Sequence, residues 1–180
     1  IEAIEGQLVT NCLQLPAKVK DGCLVSDTGR DILKIAVVNR YTPDAPIAIG
    51  FIKNIGLKEG ALASTVAHDC HNIIAVGVDD DSLCAAVNSL IECKGGIAVA
   101  ESELRVHTMP LEVAGLMSVK EGRAVAAEYT RLNKIAADLG TTLHAPFMTL
   151  SFMALLVIPS LKLSDKGLFD GSKFEFTNVE

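Results

Sequence analysis

Five consecutive residues, His68-Asp69-Cys70-His71-Asn72, place two imidazoles, a carboxylate, a thiol and an amide side by side. Imidazoles and carboxylates are the commonest ligands of catalytic zinc-type metals, and together they also move protons. Histidines at i and i+3 share a face on a helix but point to opposite sides of a strand. A metal site on His68 and His71 therefore needs a turn that brings both rings together, with Asp69 as a ligand or as the group that orients a ring. A hydrogen-bonded polar turn, with Asp69 or Asn72 capping backbone amides, accounts for the same residues without chemistry. HxxH here lacks the helical setting that makes HExxH specific, so the local sequence favours the turn. Cys70 lies beside His71, but neighbours on an extended chain point apart, and no helix N-terminus lowers the thiol pKa.

Other residues offer weaker signals. Asp79-Asp80-Asp81 could hold a hard cation, but its place before a helix is explained by N-capping and by the helix dipole. Arg40 could orient an anionic or carbonyl group, although a salt bridge to one of the 22 acidic residues is the plainer expectation. Thr149 and Ser151, set in an apolar run, are ligand contacts or satisfied core hydroxyls. His107 and His144 stand alone.

The elements that must position these groups are legible in part. Residues 2–10 and 16–25 read as short strands at a sheet edge, with turns at Asp21-Gly22 and Asp27-Thr28-Gly29. Asp31 to Tyr41 carries a β-branched core. Ile47 to Leu57 reads as a strand, Lys58 to Gly60 as a turn, and Ala61 to His68 as the returning strand. Residues 73–78 form a short continuous apolar run, typical of a strand covered on both faces. A helix follows over 81–94, with Leu83, Val87, Leu90 and Ile91 on one face and Gly95-Gly96 as its stop. A strand resumes over 97–100. Strand, helix and strand make a βαβ unit with a right-handed crossover. A second long helix spans 119–139, opened by a Ser118–Glu121 capping box, with a buried stripe of Val125, Leu132, Ile135 and Leu139. The run from His144 to Leu163 fits a short buried helix or a strand, and Lys173 to Val179 alternates like a last strand. The expected fold class is α+β: a mixed β-sheet, one βαβ unit and a second long helix packed on the sheet.

Composition narrows the function. The chain has 180 residues, of which 49% are hydrophobic and only 4% aromatic, so one domain with an aliphatic core is expected over 1–180. A net charge of −6 with scattered Lys and Arg argues against nucleic acid as a partner. Five cysteines without a CxxC pair fit reduced thiols in the cytoplasm. The longest apolar stretch, Leu143 to Ile158, falls short of the ~20 apolar residues of a spanning helix, so no membrane partner is expected. The chain opens at Ile1 without Met and reads as a fragment of a longer polypeptide.

Several segments together carry a further signal. "DILKIAVVNRY", "GFIKNIGLKEGALASTVAHDCHNIIAVGVDDD", "PLEVAGLMS", "PFMTLSFMALLVIPSLKLSDKGLFD" and "FEF" resemble, in order, the C-terminal domain of bacterial adenine deaminase, of the metal-dependent amidohydrolase superfamily. That family usually reads AHDSHN, so Cys70 stands where a serine is usual, which counts further against a thiol role. The resemblance implies a parent enzyme that hydrolyses adenine to hypoxanthine and ammonia with two manganese or iron ions activating water. It places those metals on an HxH motif and later ligands in a (β/α)8 barrel. This chain has no HxH and is too short for a barrel of ~250 residues. The resemblance thus implies an accessory domain, partnered by an upstream barrel of the same polypeptide, that helps complete the purine site or supports a homo-oligomer. His68, Asp69, His71, Asn72, Arg40, Thr149 and Ser151 are its candidate contributors, with His68 and His71 as candidate metal ligands. A self-contained metal-binding or hydrolase module on His68, Asp69 and His71 is the second reading, and a purely structural domain is the third.

Overall fold

Alanine, valine, isoleucine and leucine dominate the central strands, and small or β-branched side chains pack well on a pleated surface covered on both sides. The computed structural model describes residues 1–179. The order is β1 (Glu2–Ala3), β2 (Thr10–Asn11), β3 (Lys18–Lys20), β4 (Cys23–Val25), β5 (Ile32–Val38), β6 (Ala48–Lys53), β7 (Ala61–Ser64), β8 (Ile73–Gly77), α1 (Asp80–Glu92), β9 (Gly96–Ser102) and β10 (Arg105–Pro110). It continues with α2 (Gly122–Asp138), α3 (Pro146–Phe152), β11 (Leu161–Ser164), β12 (Gly167–Asp170) and β13 (Glu175–Thr177). The fold class is α+β with a mixed sheet, as expected.

Eight strands form the main sheet in the order β10-β9-β7-β8-β5-β6-β1-β2. Neighbours are antiparallel except β1 and β6, which run parallel. The βαβ unit is present but split: β7 lies between β8 and β9 and runs antiparallel to both. β7 is also not the return of β6, contrary to expectation. β6 pairs with β5 and β1, and two strands, β5 and β8, separate it from β7. Every residue of β7 and β8 is buried, so neither carries the alternation that would reveal its neighbour. β1 and β2 do sit at the sheet edge, whereas β3 and β4 form a separate exposed hairpin.

The two faces of the sheet are covered unequally. On one, α2 packs near β9 and β10, α3 near β7 and β8, and the β11-β12-β13 sheet near β5 and β6. Leu33, Ile35, Ile52, Leu62, Ile74, Val76, Leu132 and Leu150 form the fully buried centre of this layer. On the other face α1 lies over β9, β7, β8 and β10, burying Ala63, Ile73, Ala75, Ala98 and Leu90.

The helix ends divide into one match and one correction. Asp79 caps α1, its carboxylate accepting the Ser82 N–H at 2.7 Å, and Asp80 and Asp81 occupy the first turn. Leu83, Val87 and Leu90 are buried, but Ile91 is 53% exposed because it lies on the helix flank. The Ser118–Glu121 capping box does not form. Ser118 Oγ donates to Glu112, which also accepts the Val119 N–H, and Glu121 makes no side-chain cap. The run from His144 to Leu163 contains both alternatives in sequence, α3 and then β11.

Candidate functional site

The pentapeptide connects β7 to β8 at one end of the sheet. It is a tight turn: the His71 N–H donates to the Ala67 carbonyl at 2.7 Å, and His71 adopts a left-handed backbone with φ 51. The His68 N–H donates to the Ser151 carbonyl at 3.1 Å, docking the turn on α3. The His68 and His71 rings meet edge to face with centroids 5.7 Å apart.

Arg40 fixes the turn from the end of β5. Its Nε donates to the His71 carbonyl at 2.8 Å, its Nη1 to Lys94 and its Nη2 to Ala114. Arg40 has no carboxylate partner among the described residues, so the expected salt bridge is replaced by three carbonyls from three loops. Glycines make this convergence possible: a Cβ on Gly115 would lie 2.5 Å from Arg40 Nη1, and one on Gly95 would lie 2.5 Å from Gly115 Cα. The buried Thr65 hydroxyl joins the same loops, accepting the Gly96 N–H and donating to the Gly115 carbonyl. Tyr41 OH also donates to the His71 carbonyl, at 3.2 Å.

The remaining expected residues separate clearly. Asn72 is buried and turned inward, its Oδ1 accepting the Arg40 N–H and its Nδ2 donating to Cys70 Sγ. Ser151 is buried and donates to the Met148 carbonyl within α3, a satisfied core hydroxyl that meets the site only through its backbone. Thr149 is half-buried on the same helix. Asp69 and Cys70 are exposed and His68 and His71 half-buried. Neither the Asp69 carboxylate nor the His68 ring nitrogens hydrogen-bond to any described residue. His68 instead packs against Phe152, ring centroids 4.8 Å apart. Phe152 and Tyr41 escaped sequence reasoning. Phe152 is signalled only by its place in a helix that packs on the turn.

The surroundings of His71 favour its neutral form. Burial lowers its pKa first, the neighbouring His68 and Arg40 lower it further, and Asp69 opposes them. Its Nδ1 accepts the Ala67 N–H at 3.4 Å, which leaves the ring proton on Nε2 as a hydrogen-bond donor.

The two imidazoles do not amount to a metal centre by themselves. Among the described residues no group of three or more His, Cys, Asp or Glu is placed to hold an ion. Two clefts, of about 530 and 280 Å³, lie elsewhere: one around Glu2, Asn11, Asp31 and Asn54, the other around Glu101, Arg105 and His107. Among the described residues no helix is long and apolar enough to cross a membrane.

The molecule is thus an α+β domain that presents an open polar turn, braced from beneath, rather than an enclosed reaction centre. The chain belongs to the adenine deaminase C-terminal domain family, whose model matches residues 7–175. It is 58% identical to an adenine deaminase of Methanosarcina mazei, 51% to one of Salinibacter ruber and 45% to one of Borreliella burgdorferi, each over 99% of this chain. It spans about a third of the length of these relatives, 32% in each case.

Proposed function

We propose that this chain is the accessory domain of an adenine deaminase, and that the turn at residues 68–71 faces the purine site of an upstream catalytic barrel. Family membership and the adenine deaminase names of its relatives support the parent activity, hydrolysis of adenine to hypoxanthine and ammonia. The observation that carries the role of the turn is a division of labour. Arg40, Asn72, Tyr41 and the backbone hold the loop, while the Asp69 carboxylate and the His68 and His71 ring edges are left for something outside the domain. A neutral imidazole N–H suits a purine ring nitrogen or carbonyl oxygen, and a free carboxylate suits an exocyclic amine or a proton in transit. Manganese or iron belongs, in this reading, to the barrel. Ligation by His68 and His71 would require donors from beyond this chain. The five free cysteines fit a reducing, cytoplasmic setting.

The test is made in the full-length enzyme. His71→Asn removes the imidazole while keeping a residue that tolerates left-handed backbone, and Asp69→Asn removes only the charge. Each should lower kcat/KM by tenfold or more at unchanged metal content. A loss well under tenfold, about 1.4 kcal/mol of transition-state stabilisation, excludes contact with the reacting purine.

A further inference from the structure

The sheet face under α1 is only half covered. α1 packs on β9, β7, β8 and β10, and register shows which side chains lie beyond it. Ala36 pairs with Ala75 and Ile49, and Lys34 with Gly77 and Phe51. Ala75 is packed under α1, so Lys34, Ala36, Ile49 and Phe51 share its face. Ile49 is 53% exposed, and Ile47, immediately before β6, 57%. The near flank of α1 completes a groove. Asp80 bonds Lys34 of β5 at 2.7 Å, which fixes that flank toward β5, and Cys84, one turn on, and Ile91, two turns further, follow on the same side, both exposed.

We infer that this groove seats an amphipathic α-helix from the remaining length of the same polypeptide. The width fits: β5 and β6 span about 10 Å, one helix diameter, beside a helix that already covers the neighbouring strands. An apolar sheet face is stable when a second layer covers it. The occupant is drawn from the length this chain lacks, since it spans 32% of its relatives. β5, which floors the groove, leads three residues on to Tyr41, 60% exposed, which bonds the His71 carbonyl. A helix seated there ties the turn to the catalytic part of the enzyme. The inference rests on the reading of this domain as part of a longer enzyme, but not on any catalytic role of the turn.

Cys84 is the probe. In the full-length protein, peptide-resolved maleimide labelling should modify Cys84 at least tenfold more slowly than Cys23, which lies on the exposed hairpin. Ile49→Glu, a change at a half-exposed position that leaves the domain core untouched, should raise the Cys84 rate at least tenfold and leave Cys23 unchanged. Ile47→Glu provides the second variant. Cys84 labelling as fast as Cys23 in the unaltered enzyme means an open groove and overturns the inference. Protection that disappears on dilution, together with a fall in mass to the monomer, assigns the face to a second copy and also overturns it. Protected Cys84 in an enzyme indifferent to His71→Asn would sink the catalytic reading and leave the seat standing.

Discussion

Arg40 shows how much of the candidate site depends on one side chain. Its guanidinium serves three carbonyls belonging to the β7–β8 turn, the end of α1 and the loop after β10. Hydrogen bonds to a charged donor contribute about 1.5–3 kcal/mol each when buried, and less for a half-buried group. Arg40→Met should therefore destabilise the domain by about 2–3 kcal/mol in urea unfolding. Arg40→Lys should recover less than half of that, because one ammonium on a flexible stem cannot reach three acceptors lying in different directions. A lysine variant as stable as the native protein would show that charge, and not the fork, is what the three loops need. The sequence marked Arg40 as a candidate but suggested the wrong partner. Its acceptors are main-chain atoms from residues 31, 54 and 74 positions away, and a carbonyl leaves no trace in residue type. The histidines were legible as a pair worth attention. What could not be read was that Asn72 faces inward while Asp69 faces out.

Helix boundaries separate local signals that hold from those that a distant residue overrides. Asp79 caps α1 because nothing competes for its carboxylate, which takes both Ser82 N and Ser82 Oγ. The Ser118–Glu121 pair carries an equally good signature, yet α2 starts only at Gly122, and the Ser118 hydroxyl accepts the Lys120 N–H and donates to Glu112 instead. Asp79→Ala should cost about 1 kcal/mol, the usual value of a lost N-cap. Glu121→Ala should change stability by less than about 0.5 kcal/mol, since its side chain caps nothing. Equal losses in chemical denaturation would mean that α2 forms its box in solution. Strand topology was less legible for a related reason. A half-buried strand announces its face by alternation, as β5 does, but β7 and β8 are buried throughout and pair by contacts their residue types do not encode. The βαβ unit was readable from its order, and the insertion of β7 between its strands was not.

At the scale of the whole molecule, the first and last segments of the described chain are joined through Thr10 and Lys162. Thr10 exchanges backbone bonds with Pro159 and Ser160, and its hydroxyl bonds the Leu161 carbonyl. Lys162 on β11 is fully buried and spends its ammonium on the Leu8 carbonyl, 2.6 Å away and 154 residues distant. No carboxylate among the described residues pairs with it, and burial lowers its pKa from 10.5 to about 8. The sign of the consequence follows from proton counting. Below pH 8 both folded and unfolded chains hold the proton, and folding bears the full cost of a buried charge. Between pH 8 and 10.5 the folded chain has released it while the unfolded chain still binds it, so this residue adds stability as pH rises. The gain from pH 7 to 10 should be roughly 2–3 kcal/mol. Other groups titrate in that range, so the measurement is the difference in unfolding free energy between the native protein and Lys162→Met at each pH. That difference should shift in favour of the native protein by the stated amount across pH 7 to 10. A difference independent of pH would mean that water or movement of the Leu8 segment relieves the ammonium, and that the junction between the first and last segments is looser than the structure shows.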